Sequence, residues 1–374
     1  MKRVRRGRGV RRVAVVTGTR AEYGLLCSTM DAIRKRRGLD LRVVVTGMHL
    51  LRKFGYTVRQ IVDDGWPIAA RVRMQAGDDH PTDQATGLSR GVAGIAKFLE
   101  SDRTDIVVVL GDRIEAMAGA LAAVTTGRRV AHIHGGDVAP GDFDDRLRHA
   151  ITKLADVHLA ATRKAAQRII RMGEDPERVH HVGAPGLDRL LELVDRRRPR
   201  PRARGKSAIV LHHPCGRPAS VERRVMTAVL RAVHDAKLGA TIIHPNSDRG
   251  HEGIIAAIKA FTRRRDVTDF RVIRSIDRDT YLRMLIEADA LIGNSSSGII
   301  EAATAGTPVV NIGPRQRGRE RSGRAVVDAD ESFASIRAAL AAALRKRPII
   351  GAATVYGDGH AGKRIADLLH TTPI

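Results

Sequence analysis

The chain has 374 residues, 43% of them hydrophobic, enough for two cored domains of roughly 150 residues each or one large one, which excludes a disordered tail or a disulfide mini-protein. Its 65 Lys and Arg against 41 Asp and Glu leave a net charge of +24, which raises nucleic acid, an anionic membrane and a phosphorylated small molecule as partners. Much of that excess lies in two runs without an acidic residue, and aromatic residues are only 3%, too few for base-stacking platforms, so nucleic-acid binding is not expected.

The first basic run, residues 1–12, reads as a flexible tail. The apolar stretch after it, Val13 to Val16, is too short for a signal-peptide core, and no segment approaches 18 uninterrupted apolar residues. Cys27 and Cys215 lie far apart, outside any disulfide framework, metal-binding spacing or activating motif. A cytoplasmic protein without membrane insertion is the expectation.

Buried parallel strands are near-continuous β-branched runs, and five occur in the first half: 13–18, 41–47, 105–112, 128–136 and 156–162. Helical stretches at 21–36, 113–126 and 144–155 lie among them. The Arg/Pro segment 196–206 reads as a linker, after which strands recur at 208–214, 240–246, 270–275, 290–296 and 308–313. The alternation predicts an α/β protein of two Rossmann-like, doubly wound domains facing a cleft. Their expected spans are 13–195 and 207–357, with a last helix, within 358–374, packing back on the first.

No GxGxxG follows the first strand and no P-loop motif occurs, so neither a dinucleotide nor a P-loop site is indicated. Polar residues gather instead just after the strands. The turn Thr17 to Gly24, with Arg20, is a diphosphate-binding helix start or an ordinary βα turn. Asp112 and Arg113, after a very apolar strand, are functional or simply an ion pair.

The richest cluster is His132-Ile133-His134-Gly135-Gly136-Asp137, followed by Asp142, Asp144, Asp145, Arg148 and His149. Strand periodicity aims His132 and His134 at one surface. Carboxylates and imidazoles in one loop tune each other for acid–base work, whereas helix capping is the plainer reading of Asp144 or Asp145. No HExxH-like spacing occurs, and no metal is expected.

The second half offers His212 and His213, then His244 to Asp248 with Asn246, each at a strand end. Gly293 to Gly298, with Ser295 and Ser296 and Glu301 beyond, suits phosphate and ribose, though serine N-capping accounts for part of it. The loop Gly313 to Glu320, with Arg315, is a phosphate clamp or a solvated loop.

In order along the chain, TGTRAEYGLL, TGMHLLRKFGYTV, GDRIEA, HIHGG, DDRLRHAITKLADVHLAAT, GAPGLD, HPNSD, GNSSSGIIEA, GTPVVNIGPRQRGRE and YGDG together resemble the hydrolysing UDP-N-acetylglucosamine 2-epimerases of sialic-acid biosynthesis. The resemblance spans about residues 13 to 370. It implies the two-domain fold of the B-type glycosyltransferases and conversion of UDP-N-acetylglucosamine and water to UDP and N-acetylmannosamine. No nicotinamide or metal cofactor is implied, and a homodimer or homotetramer is. The nearest rival is a modified sugar nucleotide, such as a UDP-2,4-diacetamido-trideoxyhexose; a UDP-sugar sensor is a more distant one.

By the same resemblance, Arg20 and Arg113 contact nucleotide or diphosphate, and Asp112 is a catalytic carboxylate. His213 is the catalytic-site histidine near the phosphates, Asn246 a nucleotide contact, and Ser295, Ser296 and Glu301 phosphate and ribose contacts. Arg315 belongs to the loop after the last predicted strand, His49 to the segment lining the sugar pocket, and Asp144 is the essential aspartate after the Gly-Gly pair. His134 stands where some members carry glutamate, so the C2 base falls among His134, Asp137 and Asp144.

Overall fold

The computed structural model describes residues 9–76, 81–139, 144–195, 207–246, 248–274, 276–346 and 355–373. The expected linker 196–206 and Asp142 lie outside them.

The first sheet joins β1 (Arg11–Thr17), β2 (Leu39–Thr46), β3 (Ile68–Val72), β4 (Ile106–Leu110), β5 (Arg129–Ile133), β6 (Val157–Ala160) and β7 (Val179–His181). Their order is β3-β2-β1-β4-β5-β6-β7, with parallel pairing throughout. Its helices are α1 (Arg20–Lys35), α2 (Val58–Asp63), α3 (Pro81–Asp102), α4 (Ile114–Thr125), α5 (Asp144–Leu154), α6 (Arg163–Arg171) and α7 (Gly186–Asp195).

The second sheet joins β8 (Ser207–Leu211), β9 (Gly239–Ile243), β10 (Phe270–Ile273), β11 (Ala290–Gly293), β12 (Val309–Ile312) and β13 (Val326–Ala329) in the order β10-β9-β8-β11-β12-β13, again parallel. With it go α8 (Ala219–Asp235), α9 (His251–Thr262), α10 (Arg278–Glu287) and α11 (Phe333–Leu344), whereas the last helix, α12 (Ala361–Thr371), packs back on the first domain. The fold is thus two α/β domains.

The central strands form because their residues are covered on both faces. Val13, Ala14, Val15 and Val16 in β1 and Ile106 to Val109 in β4 are at most 1% exposed. The strands that no apolar run announces, β3, β7 and β13, are all at sheet edges and partly exposed. An edge strand is covered less completely, so it needs no continuous apolar run.

Two features differ from the expected boundaries. Arg11 and Arg12 are not tail but the start of β1, and the Arg11 guanidinium donates to the carbonyls of Leu369 at 2.8 Å and Thr372 at 2.5 Å, near the other end of the chain. Helix α7, inside the span expected for the first domain, buries Leu187, Leu190 and Leu193 in the same cluster as Leu282, Leu285, Leu291 and Ile299 of the second. Helix α12 lies on α1, its first N–H groups held by Asp188: Ala361 N donates to Oδ1 at 3.1 Å and Gly362 N to Oδ2 at 2.7 Å. Among the described residues no helix is long and apolar enough to cross a membrane.

In each sheet the strand order reverses once, between β1 and β4 and between β8 and β11. Ligands of doubly wound sheets bind beyond the strand C-termini at such switch points. The four loops that follow these strands therefore mark the site.

Candidate active site

The loops after β1, β4, β8 and β11 face one cleft of about 950 Å³. Arg20, Asp112, Arg113, His134 and Asp144 line its first-domain wall. His213, Asn246, Ser295, Ser296, Glu301 and Arg315 line the facing wall. Of the residues assigned a site role by the resemblance, His49 and Asp137 do not line the cleft but stand behind it.

The turn after β1 is shaped by a capping box. Thr19 Oγ1 accepts from Glu22 N at 3.3 Å, while Glu22 Oε2 accepts from Gly18 N at 2.7 Å and Thr19 N at 3.4 Å. Burial, reinforced by the neighbouring Glu115, pushes the Glu22 carboxyl up to about 8. Arg20, which follows Thr19, has its guanidinium pushed down to about 10 by burial. An anion entering the cleft would offset that cost.

His49 was expected to line the sugar pocket; the structure puts it underneath. Its Nε2 lies 3.2 Å from Thr17 Oγ1 and its Nδ1 2.7 Å from Thr57 Oγ1. Burial pushes it down to about 3, so it is a neutral structural imidazole. Its neighbours Met48, Lys53, Phe54 and Thr57 face the cleft instead.

The expected pairing of His132 and His134 on one surface does not occur, because β5 ends at Ile133 and His134 takes a left-handed backbone, φ +63°. His132 stays inside, 2.8 Å from the Gly111 carbonyl and 3.3 Å from Thr152 Oγ1, and burial pushes it down to about 4. His134 turns toward the cleft. A non-glycine residue at positive φ costs about 1 kcal/mol or more and persists where the surroundings impose it.

His134 Nδ1 donates to Asp137 Oδ2 at 3.0 Å. Burial works to raise the Asp137 carboxyl, but Arg319 at 2.6 Å and the imidazole hold it below the usual range, so it is an ionised acceptor. With Nδ1 carrying the proton, Nε2 of a neutral ring is left with its lone pair. This is the arrangement of a base oriented by a carboxylate.

Asp112 is tied down by Arg148, a guanidinium only 1% exposed that also donates to Asp145 and, at 3.2 Å, to the Asp137 carbonyl. Asp144 starts α5, with Arg315 Nη2 3.9 Å from its Oδ2 across the cleft. Arg113 bridges the walls too, at 3.2 Å from Glu115 Oε2 and 3.3 Å from Asp248 Oδ1. Burial opposes its charge, yet these carboxylates hold its pKa above the ordinary value.

On the second wall, Asn294 clamps the strand end: its Oδ1 accepts from His213 N at 2.7 Å and its Nδ2 donates to the His213 carbonyl at 2.8 Å. Asn246 N donates to His213 Nδ1 at 3.2 Å. Burial, then Arg315, push His213 down to about 3, so the ring is neutral and presents Nε2–H as a donor. Ser295 and Ser296 open the turn wound as a π-helix over Gly298–Ala302, and Ser295 Oγ accepts from Ser297 N at 3.3 Å. Glu301, on that turn, pairs with Arg278, which also donates to the Gly186 carbonyl at 2.9 Å. Arg315 Nη1 lies 3.4 Å from the Asn294 carbonyl.

The segments singled out in the sequence contain Arg148, Arg319, Glu115 and Asp248, but none of the four was assigned a role there. Arg148 follows Asp144 by four residues on one helix, a spacing that puts both on one face, and so had a readable signal. The partners of Arg319 and Asp248 lie 182 and 135 residues away, beyond any local pattern. Among the described residues no three His, Cys, Asp or Glu are grouped to hold a metal ion.

The family profile described as UDP-N-acetylglucosamine 2-epimerase matches residues 31–370. The UDP-N,N'-diacetylbacillosamine 2-epimerase (hydrolyzing) of Legionella pneumophila is 36% identical over 98% of this chain and 97% of its own length. The UDP-N-acetylglucosamine 2-epimerase of Neisseria meningitidis serogroup B is 29% identical over 86% of this chain and 84% of its own. A crystal structure of UDP-GlcNAc 2-epimerase from Neisseria meningitidis, bound to UDP-GlcNAc, superposes with a TM-score of 0.76 at 16% identity over 96% of this chain and 100% of that one, a likeness of fold. With its motifs in order along the chain and its site at the paired switch points, the chain belongs to the family of hydrolysing UDP-N-acetylglucosamine 2-epimerases.

Proposed function

We propose that the protein converts UDP-N-acetylglucosamine and water to UDP and N-acetylmannosamine. The observation that carries this reading is one cleft holding a carboxylate-oriented imidazole, His134 with Asp137, opposite a cluster of anion donors, His213 Nε2–H with Ser295, Ser296 and Arg315. Loss of a carbon-bound proton together with a diphosphate needs both.

In the first step His134 Nε2 takes the C2 proton, the C2–H electron pair forms the C1–C2 double bond, and the C1–O bond breaks to release UDP. The intermediate is a 2-acetamidoglucal. His213, the serine hydroxyls and Arg315 meet the charge that develops on the departing phosphate. In the second step water adds across the double bond, hydroxide to C1 and a proton to the opposite face of C2. Asp112 and Asp144 are the carboxylates in the cleft suited to moving those protons. No metal or nicotinamide is required.

A second reading has one observation behind it. The likeness to the Legionella pneumophila enzyme favours a UDP sugar with a second acetamido group and a 6-deoxy carbon. A few pocket side chains would make that distinction.

Proton NMR in deuterated buffer, with each UDP sugar in turn, tests both readings. Free UDP together with a 2-epimeric sugar deuterated at C2 is the expected result. An intact UDP-linked epimer would exclude the hydrolytic step, and turnover of only the diacetamido substrate would select the second reading.

A further inference from the structure

The His134–Asp137 pair is not complete within one domain. The cation that holds Asp137 comes from the far side of the cleft: Arg319, in the loop after β12, places Nη1 2.6 Å from Asp137 Oδ2, the same oxygen that accepts from His134 Nδ1. Asp137 is 5% exposed and the Arg319 side chain 11%, so the contact is shielded from salt and solvent.

The seat of that loop is built for close approach. A Cβ at Gly318 would stand 2.3 Å from Val138 Cγ1, which makes glycine the residue that fits between Arg319 and the segment following Asp137. The neighbouring Glu320 is held on both sides, its carbonyl accepting from Tyr356 at 3.0 Å and its carboxylate 3.8 Å from Lys164 of α6.

We propose that Arg319 is a positioning residue for the base: by fixing the Asp137 carboxylate it orients His134, so that the base is assembled only when the second domain is seated on the first. The proposal rests on the functional reading above.

Titratable and charged groups surround the imidazole on each neighbouring element. Asp137 and His132 stand on its own strand and loop, Asp112 after β4, Asp144 and Arg148 on α5, Arg168 on α6, and Arg315 and Arg319 in the loop after β12. Arg319 touches the orienting carboxylate directly, so deleting its charge makes proton uptake by the pair easier. A residue that merely clamped diphosphate would alter UDP affinity instead.

The test compares wild type with Arg319→Gln and Arg319→Lys by the pH dependence of kcat/KM, by UDP affinity, and by titration of the imidazole resonances of histidine-labelled protein. Arg319→Gln is expected to move the acidic limb, where the base gains its proton, to higher pH by about half a unit or more, to lower kcat at neutral pH roughly tenfold, and to leave UDP affinity within about threefold. Arg319→Lys returns the limb toward wild type. Arg319→Met, apolar and of similar length, carries the same comparison if the glutamine variant fails to fold.

An unmoved limb and unmoved imidazole titration, or a tenfold loss of UDP affinity with the limb in place, overturns the proposal. An imidazole titration that shifts in Arg319→Gln, together with a wild type that turns over neither UDP sugar, overturns the functional reading and leaves the contact standing.

Discussion

Asn246 N–H points at His213 Nδ1 from 3.2 Å, and this one contact settles the tautomer of the imidazole that faces the cleft. Because the backbone donates to Nδ1, the neutral ring carries its hydrogen on Nε2, toward the space where Ser295, Ser296 and Arg315 also look.

His213 is therefore expected to serve the leaving phosphate as a hydrogen-bond donor in the free protein's neutral state, burial having pushed it down to about 3. His213→Ala should weaken UDP binding by about 1.4 kcal/mol, roughly tenfold, and lower kcat further, since a donor aimed at developing charge is worth about 10²-fold or more in rate. His213→Gln, which keeps an N–H donor, should recover part of the UDP affinity. Calorimetric titration with UDP checks both variants.

Asp137→Asn separates orientation from binding. The amide cannot ionise, so the imidazole keeps at most a neutral acceptor and Arg319 loses its counter-charge. Deuterium incorporation at C2 should fall by about 10² to 10⁴, the range of general-base contributions, while UDP affinity changes little. Equal loss of both would place Asp137 in nucleotide binding instead.

The backbone at His134 has its own signature. At φ +63° an alanine is strained where a glycine is not, so His134→Gly should be more stable than His134→Ala by about 1 kcal/mol, with both inactive. Urea denaturation of the two variants reads the difference directly. Equal stability would mean that the left-handed turn relaxes once the imidazole is gone.

Much of this fold was legible because it is written in buried strands. Val13 to Val16, Ile106 to Val109 and Ala290 to Ile292 are covered on both faces, and a covered parallel strand is a run of apolar residues. The strand ends then point to the chemistry, so Asp112, Arg113, His213 and Ser295 fell into the cleft as their positions implied. What escaped was conformation that departs from strand period. The turn at His134 broke the two-residue alternation with His132, and the three-residue spacing to Asp137 became a hydrogen bond instead of a second cleft-facing carboxylate. Long-range charge pairing escaped too, since nothing near Arg319 or Asp248 in sequence names its partner.

The Glu22 carboxyl ties the first turn of the site to pH. Its ordinary value is 4.5, and burial, with Glu115 beside it, raises it to about 8 in the folded protein. Between those values the native state holds a proton that the unfolded chain has released, so stability falls as pH rises from about 4.5 to 8. The contribution is present in full below that window and lost above it. Glu22→Gln removes the titration while keeping an acceptor for the Gly18 and Thr19 N–H groups. Relative to the wild type, the variant should therefore gain stability with rising pH, on the order of 1 to 4 kcal/mol between pH 5 and pH 8. Guanidinium denaturation of both proteins at pH 5, 6.5 and 8 gives the difference, and a constant offset across the three would show that Glu22 is already ionised in the folded protein at pH 5.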